Sequence, residues 1–174
     1  MKNVPAAYEA EIITASLEGL QAFVDKLKAV RAAHPEARQK GVKEMARIKL
    51  NMGSAFPHFP IHSGSYDSVI GSFLGPLNRT VIPARIHTYL YDMTYGEWWF
   101  TPDPIVVTDE GAIINGQHRL LAAERALSEG LDDAKAPRFV VVWGVDKRAA
   151  ILMDEARRTA SDRHDIALRF ARSA

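Results

Sequence analysis

Cysteine is absent from the chain, which excludes disulfides, thiolate nucleophiles, iron–sulfur clusters and any zinc site built on sulfur. Whatever chemistry exists uses oxygen and nitrogen. No run of about 18 apolar residues occurs, and the first 30 residues hold no basic stretch followed by an apolar core, so the expectation is a cytoplasmic protein with no membrane partner. A surplus of one charge is missing too. Twenty-two Lys and Arg stand against 21 Asp and Glu, a net charge of +1, which excludes a polycation that coats nucleic acid indiscriminately. What is present, 47% apolar and 25% charged residues in 174, fits one ordinary globular domain and neither a disordered nor a collagen-like chain.

The near-neutral total conceals basic ends and an acidic middle. Residues 1–50 carry nine Lys and Arg against six Asp and Glu, residues 51–145 six against ten, and residues 146–174 seven against five. If the ends pack together they present a basic face; otherwise they are solvated surface.

Apolar residues Ile13, Leu17, Leu20, Val24 and Leu27 recur at spacings of four, three, four and three, which predicts a long helix over residues 5–33 that ends near His34-Pro35. A second helix is expected over 37–50, with Val42, Met45 and Leu50 on its apolar side. Residues 1–50 therefore read as an N-terminal helical hairpin, packed within the chain or pairing with a second copy to give a homodimer. Residues 51–65 read as a linker loop. His58 and His62 in it do not form a metal site, because Pro57 and Pro60 prevent a helix from aligning them and no carboxylate completes a set; no metal is expected. Residues 66–174 form the main domain, of α/β (α+β) class.

Within that domain a short helix is expected over 66–74 and another over 83–95, with Ile86, Leu90 and Met93 on one face and Pro83 in its first turn. Residues 105–107 and 112–114 are β-rich runs joined by a polar turn ending in glycine, a hairpin signal. Asn115-Gly116-Gln117-His118-Arg119 follows at once, and then Leu120, Leu121, Ala123 and Leu127 at helical spacing until Gly130. A strand over 138–143 comes next, then a helix over 147–153 and a last helix from Thr159, where Asp162 matches a capping pattern.

The strand-to-helix junction carries the chemistry. First-turn amides of a helix lack intrahelical partners and the peptide dipoles concentrate positive charge there, so anions are attracted. Gly116 lets a phosphate approach the backbone, His118 and Arg119 add donors, and Asn115 is placed to cap the helix. A plain turn and cap is the competing reading.

The stretch GAIINGQHRLLAA resembles the phosphate-binding motif of the ParB/sulfiredoxin superfamily, in particular the DGQHR-signature branch common in phage, prophage and actinobacterial proteins. Further phrases of that branch stand in order here. They are Asn78-Arg79, Met93-Thr94-Tyr95-Gly96-Glu97-Trp98, Pro104-Ile105, Gly116-Gln117-His118-Arg119, Val140 to Val142, Asp154, and Arg158-Thr159-Ala160-Ser161-Asp162. The resemblance covers about residues 75–168 and leaves the N-terminal segment outside. It implies a small ParB-like sheet with flanking helices in which Gly116 to Arg119 bind the phosphates of a nucleotide or of DNA, with CTP or ATP and Mg²⁺ as the implied cofactors. Superfamily members include CTP-dependent DNA clamps, ATP-using sulfiredoxins, a kinase acting on free serine, and nucleases. Sulfiredoxin chemistry needs a thiol this chain lacks. Asn115 stands where the family usually has Asp, so a mechanism that needs a carboxylate there is weakened.

Arg157 and Arg158, next to Asp154, either complete the phosphate pocket or form an ion pair that fixes the turn before the last helix, and Arg79 has the same two readings. Trp98 and Trp99 either stack on a base or fill the core. Asp92, Glu97, Asp109, Glu110 and Asp154 are the candidate catalytic carboxylates, and spacing singles out none. Three functions follow as expectations: a nucleotide- or DNA-phosphate-binding module, a phosphoryl-transferring or phosphate-ester-hydrolysing enzyme on the same cradle, and a helical interaction module with a vestigial pocket.

Overall fold

The computed structural model describes residues 8–35, 45–50, 64–75, 78, 80–95 and 98–151. The chain opens on a strand, β1 (Glu9–Thr14), and not on a helix. Ser16 then caps α1 (Leu17–Ala33), its side chain accepting a hydrogen bond from the Gly19 amide at 3.1 Å. The helix expected over 5–33 is therefore corrected at its first half. Ile12-Ile13-Thr14 is a β-rich run, and six consecutive residues pair antiparallel with β6 (Arg138–Val145), from Glu9 opposite Trp143 to Thr14 opposite Arg138. Leu17, counted on the helical stripe, is 71% exposed, whereas Leu20, Phe23, Val24 and Leu27 are buried.

In the described part of the second expected helix a strand stands instead. Of residues 37–50, those described contain β2 (Ala46–Leu50), which pairs antiparallel with β3 (Gly64–Ser68) in a two-stranded sheet. Met45, expected on an apolar side, is exposed, and Ile48 is buried. An N-terminal helical hairpin is thus not what the described residues form. The helix expected over 66–74 is reduced to a 3-10 turn at Ile70–Phe73, because β3 occupies the first half of that stretch.

The remaining elements follow their local signals. Helix α2 (Pro83–Tyr95) buries Ile86, Leu90 and Met93; β4 (Ile105–Thr108) and β5 (Ile113–Asn115) form the antiparallel hairpin; α3 (Gln117–Ser128) ends before Gly130, which has φ +89°. A 3-10 turn at Lys147–Ile151 stands where a helix over 147–153 was expected. The last expected helix, from Thr159, lies outside the described residues.

The four-stranded main sheet has the order β1-β6-β4-β5 and is mixed, with β4 parallel to β6 and the other two pairings antiparallel. Its large core gathers Phe139, Val141, Ile105 and Ile113 from the sheet with Leu27 of α1, Met93 of α2 and Leu120 and Leu121 of α3. Val106, Ile114 and Val145 form a small separate cluster. The fold is mixed α/β, and residues 9–33 share one core with residues 105–145. No helix among the described residues is long and apolar enough to cross a membrane.

Candidate functional site

Two hydrogen bonds set the hairpin that leads to the site: the Thr108 amide donates to the Ala112 carbonyl at 2.8 Å, and the Ala112 amide donates to Thr108 Oγ1 at 3.0 Å. Gly111, at φ +78°, packs its backbone against Arg31 of α1. Strand β5 then delivers Asn115 and Gly116 to the start of α3.

Gly116 is the residue on which this junction turns. Its φ of +86° lies in the left-handed region, and a Cβ built there would stand 2.2 Å from Ile105 Cδ1 and 3.3 Å from both Ile105 Cα and Arg119 Nη2. The guanidinium of Arg119 thus lies beside the bare glycine turn. Gly116, and not Asn115, is the N-cap, and no side chain caps α3. This corrects the capping role expected of Asn115. Its Nδ2 instead donates to the Pro104 carbonyl at 3.0 Å. Arg119 Nη2 donates to that same carbonyl at 3.0 Å, and Nη1 donates to the Asp103 carbonyl. Asn115 and Arg119 together clamp the segment that enters β4.

Gln117 and His118 turn inward, at 5% and 6% exposure. His118 Nε2 accepts the Ile82 amide at 2.9 Å, just before α2, so in this arrangement that nitrogen carries no proton and the Nδ1 tautomer is selected. The imidazole ties α3 to the start of α2 and does not offer Nε2–H to an anion.

The other candidates are dispersed. Asp109 and Glu110 occupy the turn of the β4–β5 hairpin, the opposite end from Gly116, and Glu110 pairs with Lys147 at 3.3 Å. Asp92 sits half-buried on α2. Trp98 packs edge-on between Tyr89 and Phe139, with ring centroids 5.8 and 5.6 Å away, so it belongs to the core. Trp99 is 82% exposed, and Phe100 lies under the Arg138 guanidinium at 5.1 Å. Arg79, Glu97, Asp154, Arg157 and Arg158, with His58 and His62, lie outside the described residues. Among the described residues no group of three or more His, Asp or Glu could hold a metal ion. Asn115 and Arg119 direct hydrogen bonds to the 103–104 carbonyls and His118 accepts one from Ile82, so a phosphate oxygen at this junction would meet the backbone at the start of α3 with the Arg119 charge beside it; the carboxylates described do not gather there to hold Mg²⁺.

Glu124 is the residue that sequence reasoning missed. From α3 its Oε1 accepts the Val69 amide at 2.8 Å and the Ile70 amide at 3.2 Å, and its Oε2 accepts the Ser68 hydroxyl. Burial pushes its carboxyl above the ordinary range, against the pull of those three hydrogen bonds. Nearby, the Tyr66 hydroxyl donates to the Leu121 carbonyl at 3.1 Å, and burial raises its pKa. One cue was available: Glu124 is an acid one position past the buried run Leu120 to Ala123.

The Asn115 clamp carries a direct test. Asn115→Asp removes the donor to the Pro104 carbonyl and sets two acceptors against each other. The expected loss is about 1–2 kcal/mol of unfolding free energy, measured by urea denaturation at neutral pH. In comparisons with known proteins, no family model, no curated protein and no solved structure matches the chain.

Proposed function

We propose that this protein binds the phosphate of a nucleotide or of a nucleic-acid strand at the start of α3. The observation that carries the reading is the junction itself. A three-turn helix begins at a glycine whose bare backbone has Arg119 beside it, with no side-chain cap over the helix end. The helix dipole and first-turn amides favour an anion there, and the Arg119 guanidinium brings a fixed positive charge beside them.

The segment clamped by Arg119 adds a second kind of contact. Trp99 and Phe100 shortly precede it in the chain, both exposed, and their ring faces suit a base. Arg138 over Phe100 adds positive charge. Asp109 and Glu110, at the far end of the hairpin, are not placed for carboxylate-driven phosphoryl transfer at this junction, while Glu97 and Asp154 lie outside the described residues.

Titration of fluorescent CTP, ATP and GTP, with and without Mg²⁺, and of a short labelled DNA strand tests this. Wild type is expected to bind at least one of them, with affinity falling as salt rises, and Arg119→Ala is expected to weaken it about tenfold or more. Thermal melts of the same samples separate lost binding from lost folding. No binding by wild type, or equal binding by a folded Arg119→Ala, overturns the proposal.

A further inference from the structure

The two edges of the main sheet differ. Outside β5 the chain returns to make a parallel bridge between Leu74 and Ile113, but among the described residues nothing pairs with the outer edge of β1. All six residues of β1 give one edge to β6, and by the alternation of a strand the opposite edge presents backbone N–H and C=O groups outward. Edge strands of this length are usually shielded by a bulge, a proline or a covering element. None is found along β1 in the described structure.

Beside that edge lies a groove of about 370 Å³ between β1 and α1, whose lining includes Glu11, Ile13, Glu18, Ala22, Phe23 and Lys26. Its walls follow from the sequence. Ser16 turns the chain back from strand to helix, and Gly19 lets α1 start hard against β1, since a Cβ there would stand 1.8 Å from the Thr14 carbonyl oxygen. Ala22, small and exposed, leaves the groove open. Phe23, packed on Trp143 with ring centroids 5.3 Å apart, and Ile13 supply an apolar lining.

The rim is acidic. Lys26 is spent on Glu9 and Glu11, at 2.9 and 3.0 Å, and Glu11 also accepts the Trp143 indole N–H at 2.6 Å. Glu9 and Glu11 thus share one ammonium, and the exposed carboxylate of Glu18, at the start of α1, lines the same groove. On the other face of the strand Ile12 is exposed, as is Tyr8 just before it.

We propose that the outer edge of β1 takes an extended peptide segment, rich in β-branched residues and carrying lysine or arginine, as a fifth strand of the main sheet. Main-chain hydrogen bonds to β1 supply affinity. Alternate side chains enter the groove against Ile13 and Phe23, and a basic side chain meets the acidic rim at Glu18. This site is separate from the α3 junction and stands independently of it.

The test uses the full chain and a short fluorescein-labelled peptide alternating valine and lysine, followed by anisotropy and by amide chemical shifts of Glu9 to Thr14. Binding is expected, weakened about tenfold or more by Ala22→Trp, which fills the groove, and by N-methylation of alternate peptide amides. Glu18→Lys is expected to weaken it severalfold and to flatten its salt dependence, and it serves where Ala22→Trp fails to fold. A peptide alternating valine and glutamate is expected to bind more weakly than the lysine version. No binding at millimolar peptide, binding indifferent to the groove variants and to N-methylation, or a concentration-dependent dimer that pairs β1 with a second copy would each overturn the proposal.

Discussion

Gly116→Ala is expected to destabilise the protein by about 2–4 kcal/mol and to abolish whatever anion binding the α3 junction supports. Two costs combine. A non-glycine residue held at φ +86° is strained by about 1–2 kcal/mol, and the new Cβ would meet Ile105 Cδ1 at 2.2 Å. Ile105 is fully buried, so its side chain has little room to retreat, and the Ile105 Cα at 3.3 Å cannot move without shifting β4. Overpacking of that kind typically adds about 1–3 kcal/mol. Relief by backbone rotation would break the alignment of Asn115 and Arg119 on the Pro104 carbonyl. Urea denaturation and nucleotide titration on the same preparation check both halves. A loss below about 1 kcal/mol would show that the junction relaxes freely, and the geometry argued for phosphate binding would then not be enforced by packing. Gly130→Ala is the matched control: it also has positive φ, +89°, but nothing lies within 4 Å of its would-be Cβ, so only the backbone cost applies.

Glu124→Ala is expected to cost about 2–4 kcal/mol at neutral pH, because it strands the Val69 and Ile70 amides and the Ser68 hydroxyl where α3 meets the β3 end. Ser68 is fully buried and its oxygen also accepts the Gly71 amide at 2.7 Å, so the loss propagates into the 3-10 turn. Glu124→Gln keeps an acceptor for the two amides and an N–H for the Ser68 oxygen, and is expected to cost about 1 kcal/mol or less. The pH dependence follows from the raised carboxyl. The unfolded chain releases this proton near the ordinary value of 4.5, while the folded state holds it to higher pH. Between those two values the folded state carries more protons. The contribution of Glu124 to stability is therefore full below the ordinary value and declines as pH rises through the folded one. Wild type is expected to lose stability relative to Glu124→Gln over that window in denaturation curves from about pH 4 to about pH 8. A difference that is flat or grows with pH would reverse the assignment of burial as the dominant effect.

The parts of the fold legible in the sequence are those whose cause is local. Pro83 at a first turn, apolar residues at helical spacing over 83–95, a polar turn between two β-rich runs, and Gly130 at a helix end each act within a few residues, and each element formed as read. The stretches that failed are short and carry two periods at once. Residues 9–14 sit at the edge of a helical stripe and also include the β-branched Ile12, Ile13 and Thr14; Phe139 and its neighbours on β6, more than 120 residues away, decide for the strand. Residues 46–50 are settled in the same way by β3.

The site divides along the same line. By itself, the sequence determined that no thiol chemistry is possible, that a glycine stands at a strand-to-helix junction, and that an arginine follows one helical turn later, because composition and local backbone preference suffice for these. Only the tertiary structure decided that Asn115 and Arg119 grip the 103–104 segment, that His118 serves α2, that Asp109 and Glu110 lie at the far end of the hairpin, and that Glu124 and the open edge of β1 matter at all. Each of these depends on a hydrogen-bond partner or a packing surface supplied by a segment distant in the chain. No local period encodes which distant segment that will be.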